Sequence, residues 1–230
     1  MLIQRFIFAL SLALSLGFSR AAEPEGFVAL FPNDGPPAGF VVRHWADVSA
    51  PPEAAAHWEV KDGVLTSVGA RGCWLMSEKE YGDFVLEYEF KLGPLGNSGC
   101  ALRAPLRGDP AFDGMEMQMA DFRYNQAAKD SELTGGIYRA VAPSRQIYKP
   151  EEWNTVRITL TGSRALIELN GETIQDFDLD KAETTVLRHN GTPAPPLKDR
   201  PRRGHIGFQE LSRGDSHVLI RKARIKELGR

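Results

Sequence analysis

Apolar and polar residues alternate with a period of two through most of this chain, broken by tight turns, and that pattern leaves little room for helices. Phe84, Leu86, Tyr88 and Phe90 alternate with Val85, Glu87, Glu89 and Lys91, and Val156, Ile158 and Leu160 with Arg157, Thr159 and Thr161. Side chains of a strand point alternately to its two faces, so each run buries one face. Gly162-Ser163 turns into Ala165–Leu169, and Asn170-Gly171 into Glu172–Phe177. Asn-Gly between alternating runs is a strong hairpin signal, because both residues tolerate positive φ. Asp62-Gly63 joins Trp58–Lys61 to Val64–Thr66, while Ile206–Phe208 and Val218–Leu228 supply the last strands. Only Ser77–Tyr81 and Glu151-Glu152 read as single helical turns. Pro32–Pro52 and Pro193–Pro201 read as loops. An all-β sandwich or jelly roll is the expected architecture, one domain over residues 22–230.

Residues 1–21 read differently. Arg5 precedes the apolar run Phe6–Phe18, and Ser19-Arg20-Ala21 offers small residues before a cut. This is the pattern of a secretory signal peptide, too short in its apolar part to span a membrane. The expectation is therefore an exported chain, periplasmic or extracellular. Loss of Arg5 and Arg20 would leave 26 basic against 30 acidic residues. A mildly acidic protein suits neither nucleic acid nor an anionic membrane as partner. Cys73 and Cys100 are the two cysteines, and both a disulfide and two buried thiols fit an exported chain.

Candidate chemistry concentrates in Asn97–Asp121, which holds Asn97, Ser98, Arg103, Glu116, Gln118 and Asp121 in two strand-like runs joined by a loop. In Met115–Met119, Glu116 and Gln118 share one face and the three methionines the other. A bulge would bring Asp121 onto the Glu116 side. Two carboxyls flanking an amide suit acid–base work if their pKa values are pushed apart. Arg103 offers a permanent cation for an oxyanion or a pair of hydroxyls. Asn97 and Gln118 both donate and accept, as sugar hydroxyls require. Tyr138, Trp74 and Gln209 complete the candidate binding set, Trp74 as a stacking surface for a pyranose ring. No cofactor is clearly signalled, although Glu116 and Asp121 could hold a divalent cation by oxygen ligands. Of the five histidines only His205, near the strand of Gln209, draws notice.

The order of motifs resembles a known family. Phe27–Phe31, Trp58–Leu65, Trp74-Leu75, Tyr81–Phe84, Asn97-Ser98-Gly99 and Leu102-Arg103 come first. Gly114–Gln118, Asp121, Thr134–Tyr138, Trp153-Asn154, Leu169–Gly171 and Gly207–Gln209 follow. Together they resemble the DUF1080 family, the 3-keto-disaccharide hydrolase or 3-keto-glucoside lyase-hydratase domain. The chain departs from that pattern after Gln209, where Glu210–Gly214 replaces the usual His-Gly turn. The resemblance implies a concanavalin A-like β-sandwich acting on an oxidised (3-keto) sugar or disaccharide. It places site motifs on Asn97-Ser98, Arg103, Glu116, Gln118 and Asp121, with Tyr138 beside them. The implied chemistry is removal of the C2 proton, β-elimination of the C1 aglycone and addition of water. A retaining glycosidase with a Glu116-x-Gln118-x-x-Asp121 strand, and a non-catalytic carbohydrate-binding sandwich, are the competing readings.

Overall fold

The computed structural model describes residues 24–53 and 56–229; the signal segment expected over residues 1–21 lies outside them. Two antiparallel sheets face each other. The larger takes β1 (Val28–Ala29), β3 (His57–Lys61), β4 (Val64–Val68), β6 (Phe84–Lys91), β9 (Asn154–Thr161), β10 (Arg164–Leu169), β11 (Glu172–Asp178) and β13 (Leu219–Glu227). Its order is β11-β10-β9-β6-β13-β4-β3, with β1 added on β13. The smaller takes β2 (Phe40–His44), β5 (Cys73–Tyr81), β7 (Asn97–Ala104), β8 (Met115–Ala120) and β12 (Gly204–Glu210), in the order β2-β5-β12-β7-β8. This is a jelly-roll sandwich, as the alternation predicts, and of the concanavalin A-like kind that the family resemblance implies.

The hairpins fall where the turn residues put them. Asp62 and Asn170 both adopt positive φ (51° each) in the β3–β4 and β10–β11 turns. Ser77–Tyr81 is not a helical turn but the second half of β5. A short helix, α1 (Pro110–Asp113), occupies the loop between β7 and β8. Asp109 caps it, its Oδ1 accepting from Ala111 N at 3.0 Å, and Pro110 follows at the first helical position.

The core lies between the sheets. Phe84, Leu86, Phe90, Ile158, Ile167 and Ile220 of one meet Leu75, Leu102, Met117, Met119, Ile206 and Phe208 of the other, all essentially inaccessible. The Tyr88 hydroxyl reaches Met117 Sδ at 3.6 Å and Met119 Sδ at 3.5 Å, which fixes the methionine side of β8 inward. Cys73 and Cys100 are separate thiols in this core, and burial pushes them up to about 11 and about 12.

One bulge redirects a key side chain. Gly207 pairs with Ala101 and His205 with Ala104, so Leu102 and Arg103 together face Ile206. Arg103 takes φ 50° there. The extra residue turns Arg103 off the outer face and returns Ala104 to it, where Ala104 packs with Trp74, Met76 and Ala101.

Candidate active site

The outer face of the smaller sheet, turned away from the core, floors a cleft of about 470 Å³. β8 supplies Glu116 and Gln118, β7 supplies Asn97, and β12 supplies Gln209. All four are at least nine-tenths buried, so this is no solvated strand face. Loops raise the walls: Trp45, Arg71, Asp109, Tyr124, Tyr138 and His189 line them. His189 is the hub of an aromatic wall, with ring centroids 5.7 Å from Trp45, 5.9 Å from Tyr138 and 5.2 Å from Phe112.

Tyr138 reaches the cleft because its segment runs along the outer edge of β8. Gln118 N donates to Gly136 O (2.8 Å), Gly135 N to Gln118 O (2.9 Å), and Tyr138 N to Glu116 O (3.0 Å). The Thr134 hydroxyl both accepts from Ala120 N and donates to Ala120 O, each at 2.9 Å.

Glu116 is the most perturbed group of the floor. Its Oε1 is buried without a hydrogen-bond partner among the described residues. Burial raises its pKa well above the usual carboxylate range, and the charge of Asp109 raises it further. Burial therefore favours the protonated form of Glu116. Asp109 is pushed up to about 7, first by burial and then by the neighbouring Asp113, against the helix amide of Ala111 and the guanidinium groups of Arg188 and Arg200. Burial and Arg139 lower His189, which keeps its imidazole neutral. Tyr138 is raised by burial and by Glu116, and stays a hydroxyl donor. Asn97 Oδ1 is a second buried acceptor without a partner among the described residues. Unpaired buried polar atoms are costly unless a ligand satisfies them.

Gly99 makes the Glu116 position possible. A Cβ at residue 99 would sit 1.8 Å from Glu116 Oε1 and 2.6 Å from its Cδ. Gly99→Ala is expected to displace the carboxyl and to cost ~1–3 kcal/mol of stability, as overpacking typically does. Chemical denaturation checks this, and an unchanged unfolding midpoint would mean that the carboxyl moves aside freely.

Of the residues singled out in the sequence, the structure brings Asn97, Glu116, Gln118, Tyr138 and Gln209 together; Asp121 lines a smaller pocket with Asn97, Gln118 and Tyr138, and Arg103, Ser98, Trp74 and His205 fall elsewhere. Arg103 is fully buried and leaves the cleft through its bulge. It donates from Nε to Gly82 O (2.8 Å), from Nη1 to Gly162 O (2.9 Å) and from Nη2 to Asp83 Oδ1 (2.9 Å). It ties turns of the larger sheet to the smaller one. Asp121 has no bulge to carry it, since β7 and β8 pair in unbroken register. The strand ends at Ala120, and Asp121 is held by Arg123 (2.8 Å from both Nε and Nη2) and by the Tyr148 hydroxyl (3.2 Å). Those bonds outweigh burial and lower its pKa. It cannot share a cation with Glu116 while both its oxygens face a guanidinium. Ser98 points inward and donates to Gln209 O at 2.6 Å. Trp74 shares the outer face, but Val48 covers it and its Nε1 donates to Trp45 O at 3.0 Å. His205 binds Ser77 O at 2.7 Å and lies outside the cleft.

Asp109, Trp45 and His189 are cleft residues that strand periodicity does not reveal. Asp109-Pro110 does carry a helix-start signal, an acidic cap before proline. Trp45 and His189 sit on loops without any such mark. Among the described residues no three His, Cys, Asp or Glu side chains converge as metal ligands.

The jelly-roll sandwich carries a cleft of carboxyls, amides and aromatic rings on one sheet, and the family and structural likenesses that follow make it a carbohydrate-active enzyme. The chain belongs to the family of 3-keto-alpha-glucoside-1,2-lyase-like domains, whose model matches residues 26–226. Comparison with curated proteins returns no match. A provisionally assigned glycosyl hydrolase from Parabacteroides distasonis ATCC 8503 is similar in structure, with 29% identity and a TM-score of 0.64 over 74% of this chain and 90% of that one. A second such protein from the same organism has 22% identity and a TM-score of 0.66, covering 89% of this chain and 95% of that one. SCLam, a non-specific endo-β-1,3(4)-glucanase, has 15% identity and a TM-score of 0.51, covering 90% and 93%. These last two likenesses show the fold alone.

Proposed function

We propose that this enzyme cleaves 3-keto-glycosides by elimination, and that Asp109 and Glu116 move its protons. The observation that carries the reading is a buried Glu116 carboxyl, its Oε1 without a partner among the described residues, in one cleft with a second buried carboxyl, Asp109, that is pushed up to about 7. A base poised near the working pH is the most effective one. A buried neutral carboxylic acid is a proton donor for oxygen. A retaining glycosidase instead needs an ionised nucleophile, and in this cleft Gln118 stands where an assisting acid would.

A 3-keto group makes the hydrogen on C2 acidic. Asp109 takes that proton, and the C2–H electrons flow into the C3 carbonyl to give an enolate. The enolate then re-forms the carbonyl and a C1=C2 double bond as the C1–oxygen bond breaks. Glu116 protonates the departing oxygen. Water adding at C1, with a proton returned to C2, completes net hydrolysis. Asn97, Gln118 and Gln209 suit the ring hydroxyls, and the Trp45–His189–Tyr138 wall suits the apolar face of a pyranose. The reading includes export of the mature chain, for which the Arg5, Phe6–Phe18 and Ala21 pattern speaks.

The test is incubation in D2O with a 3-keto-glucoside and with the parent glucoside. Cleavage of the keto sugar alone is expected, with deuterium at C2 of the product or of recovered substrate. Cleavage of the ordinary glucoside without exchange at C2 would favour the glycosidase reading. Retention of sugar without turnover of either would favour a binding module.

A further inference from the structure

The Asp109 carboxyl sits on a turn that is clamped from three directions. On its own helix, Asp113 Oδ2 accepts from Asp109 N at 3.1 Å. Arg188, seventy-five residues further along the chain, then grips both oxygens of Asp113, Nη1 at 2.8 Å and Nη2 at 2.5 Å. Its guanidinium also lies over the Phe112 ring, 5.8 Å from the centroid. Arg200 Nη1 donates to Ala111 O and Gly114 O, both at 2.9 Å, and so closes the other end of α1. From the opposite side Asp47 Oδ1 accepts from Gly108 N at 2.9 Å, and Val48 N donates to Gly108 O at 2.8 Å. A helix of four residues has no stability of its own, so these clamps decide where its cap residue stands.

We infer that the Asp113–Arg188 pair is a positioning device for the cleft carboxyl of Asp109, holding it in place and setting the pH at which it ionises. Arg188 does not line the cleft; it acts through Asp113 and α1. His189 follows it directly in sequence and enters the aromatic wall, so one loop fixes both the carboxyl and the ring beside it. The titratable and charged groups facing Asp109 are Asp113 on its own helix, Glu116 from β8, Tyr138 from the segment beside β8, and Arg188 and Arg200 from the loop before β12. The Asp47 carboxylate is spent on the Gly108 amide and on Ser49.

The inference rests on the role given to Asp109 above, and its test does not need the substrate. The carboxyl carbon of Asp109 is titrated by 13C NMR in the parent protein, assigned by its loss in Asp109→Asn, and then in Arg188→Met, Arg188→Lys and Asp113→Asn. Arg188→Met should raise the midpoint by about one pH unit, because a nearby cation favours the ionised carboxyl. Asp113→Asn should lower it by a similar amount, and Arg188→Lys should restore most of the parent value. With a 3-keto-glucoside, Arg188→Met should lower kcat several-fold with KM little changed. Unmoved midpoints in folded Arg188→Met and Asp113→Asn proteins would overturn the inference. Moved midpoints in a protein that turns over no 3-keto-glucoside would uphold the clamp and sink the reading of the reaction.

Discussion

Asp109→Asn and Glu116→Gln should each lower kcat on a 3-keto-glucoside by ~10²-fold or more, the usual worth of a positioned acid or base. The exchanges keep shape, and asparagine caps a helix as well as aspartate does, so the fold should survive. In the parent enzyme kcat/KM should rise with pH through about 7 as Asp109 ionises, and fall again at higher pH as Glu116 loses its proton. Asp109→Asn should abolish the rising limb. Stability should move the opposite way. Asp109 binds its proton more tightly folded than unfolded, so stability is full below the ordinary value of 3.8 and declines as pH climbs to about 7. Asp109→Asn should flatten that decline, which thermal melts across the range would reveal. A rising limb that persists in Asp109→Asn would assign the base elsewhere.

The second large effect concerns Arg103, and it falls on stability. Arg103→Met should destabilise the protein by ~3–5 kcal/mol, because it removes the cation of a buried pair and strips three acceptors at once. Asp83 Oδ1 would keep only the amide of Gly162, at 3.0 Å. For a chain of this size the melting temperature should drop by roughly 10 °C. Activity per folded molecule should hardly change. A fall in kcat without a fall in melting temperature would return Arg103 to the cleft.

Most strand positions were legible because burial on one face imposes a period of two; β2, inside the Pro32–Pro52 stretch read as a loop, and β5, whose buried run does not alternate, were not. The cleft floor was legible for the same reason: Glu116 and Gln118 share a phase opposite the methionines. The errors at Arg103 and Asp121 have one physical source. Each depends on where a single extra residue enters a strand, and period-two alternation is blind to that insertion. A bulge expected beside Asp121 lies instead at Leu102-Arg103, so Arg103 leaves the outer face and Asp121 is not carried onto it. The walls were harder still. Trp45, Asp109 and His189 come from three loops far apart in sequence; Asp113, Arg188 and Arg200 hold the turn of Asp109, and Trp45 bonds through its backbone to Gly72 and Trp74.

The segment Thr134–Tyr138 has a consequence for how the protein behaves among its own copies. β8 is the last strand of its sheet, and an end strand with free amides and carbonyls is a template onto which another chain can stack. Here the carbonyl of Glu116 and both outward groups of Gln118 and Ala120 are already taken. Gly136 lets the segment lie tight against Ser131, whose backbone any side chain there would meet at 2.6 Å. The strand that bears Glu116 therefore offers another chain little open backbone along its edge.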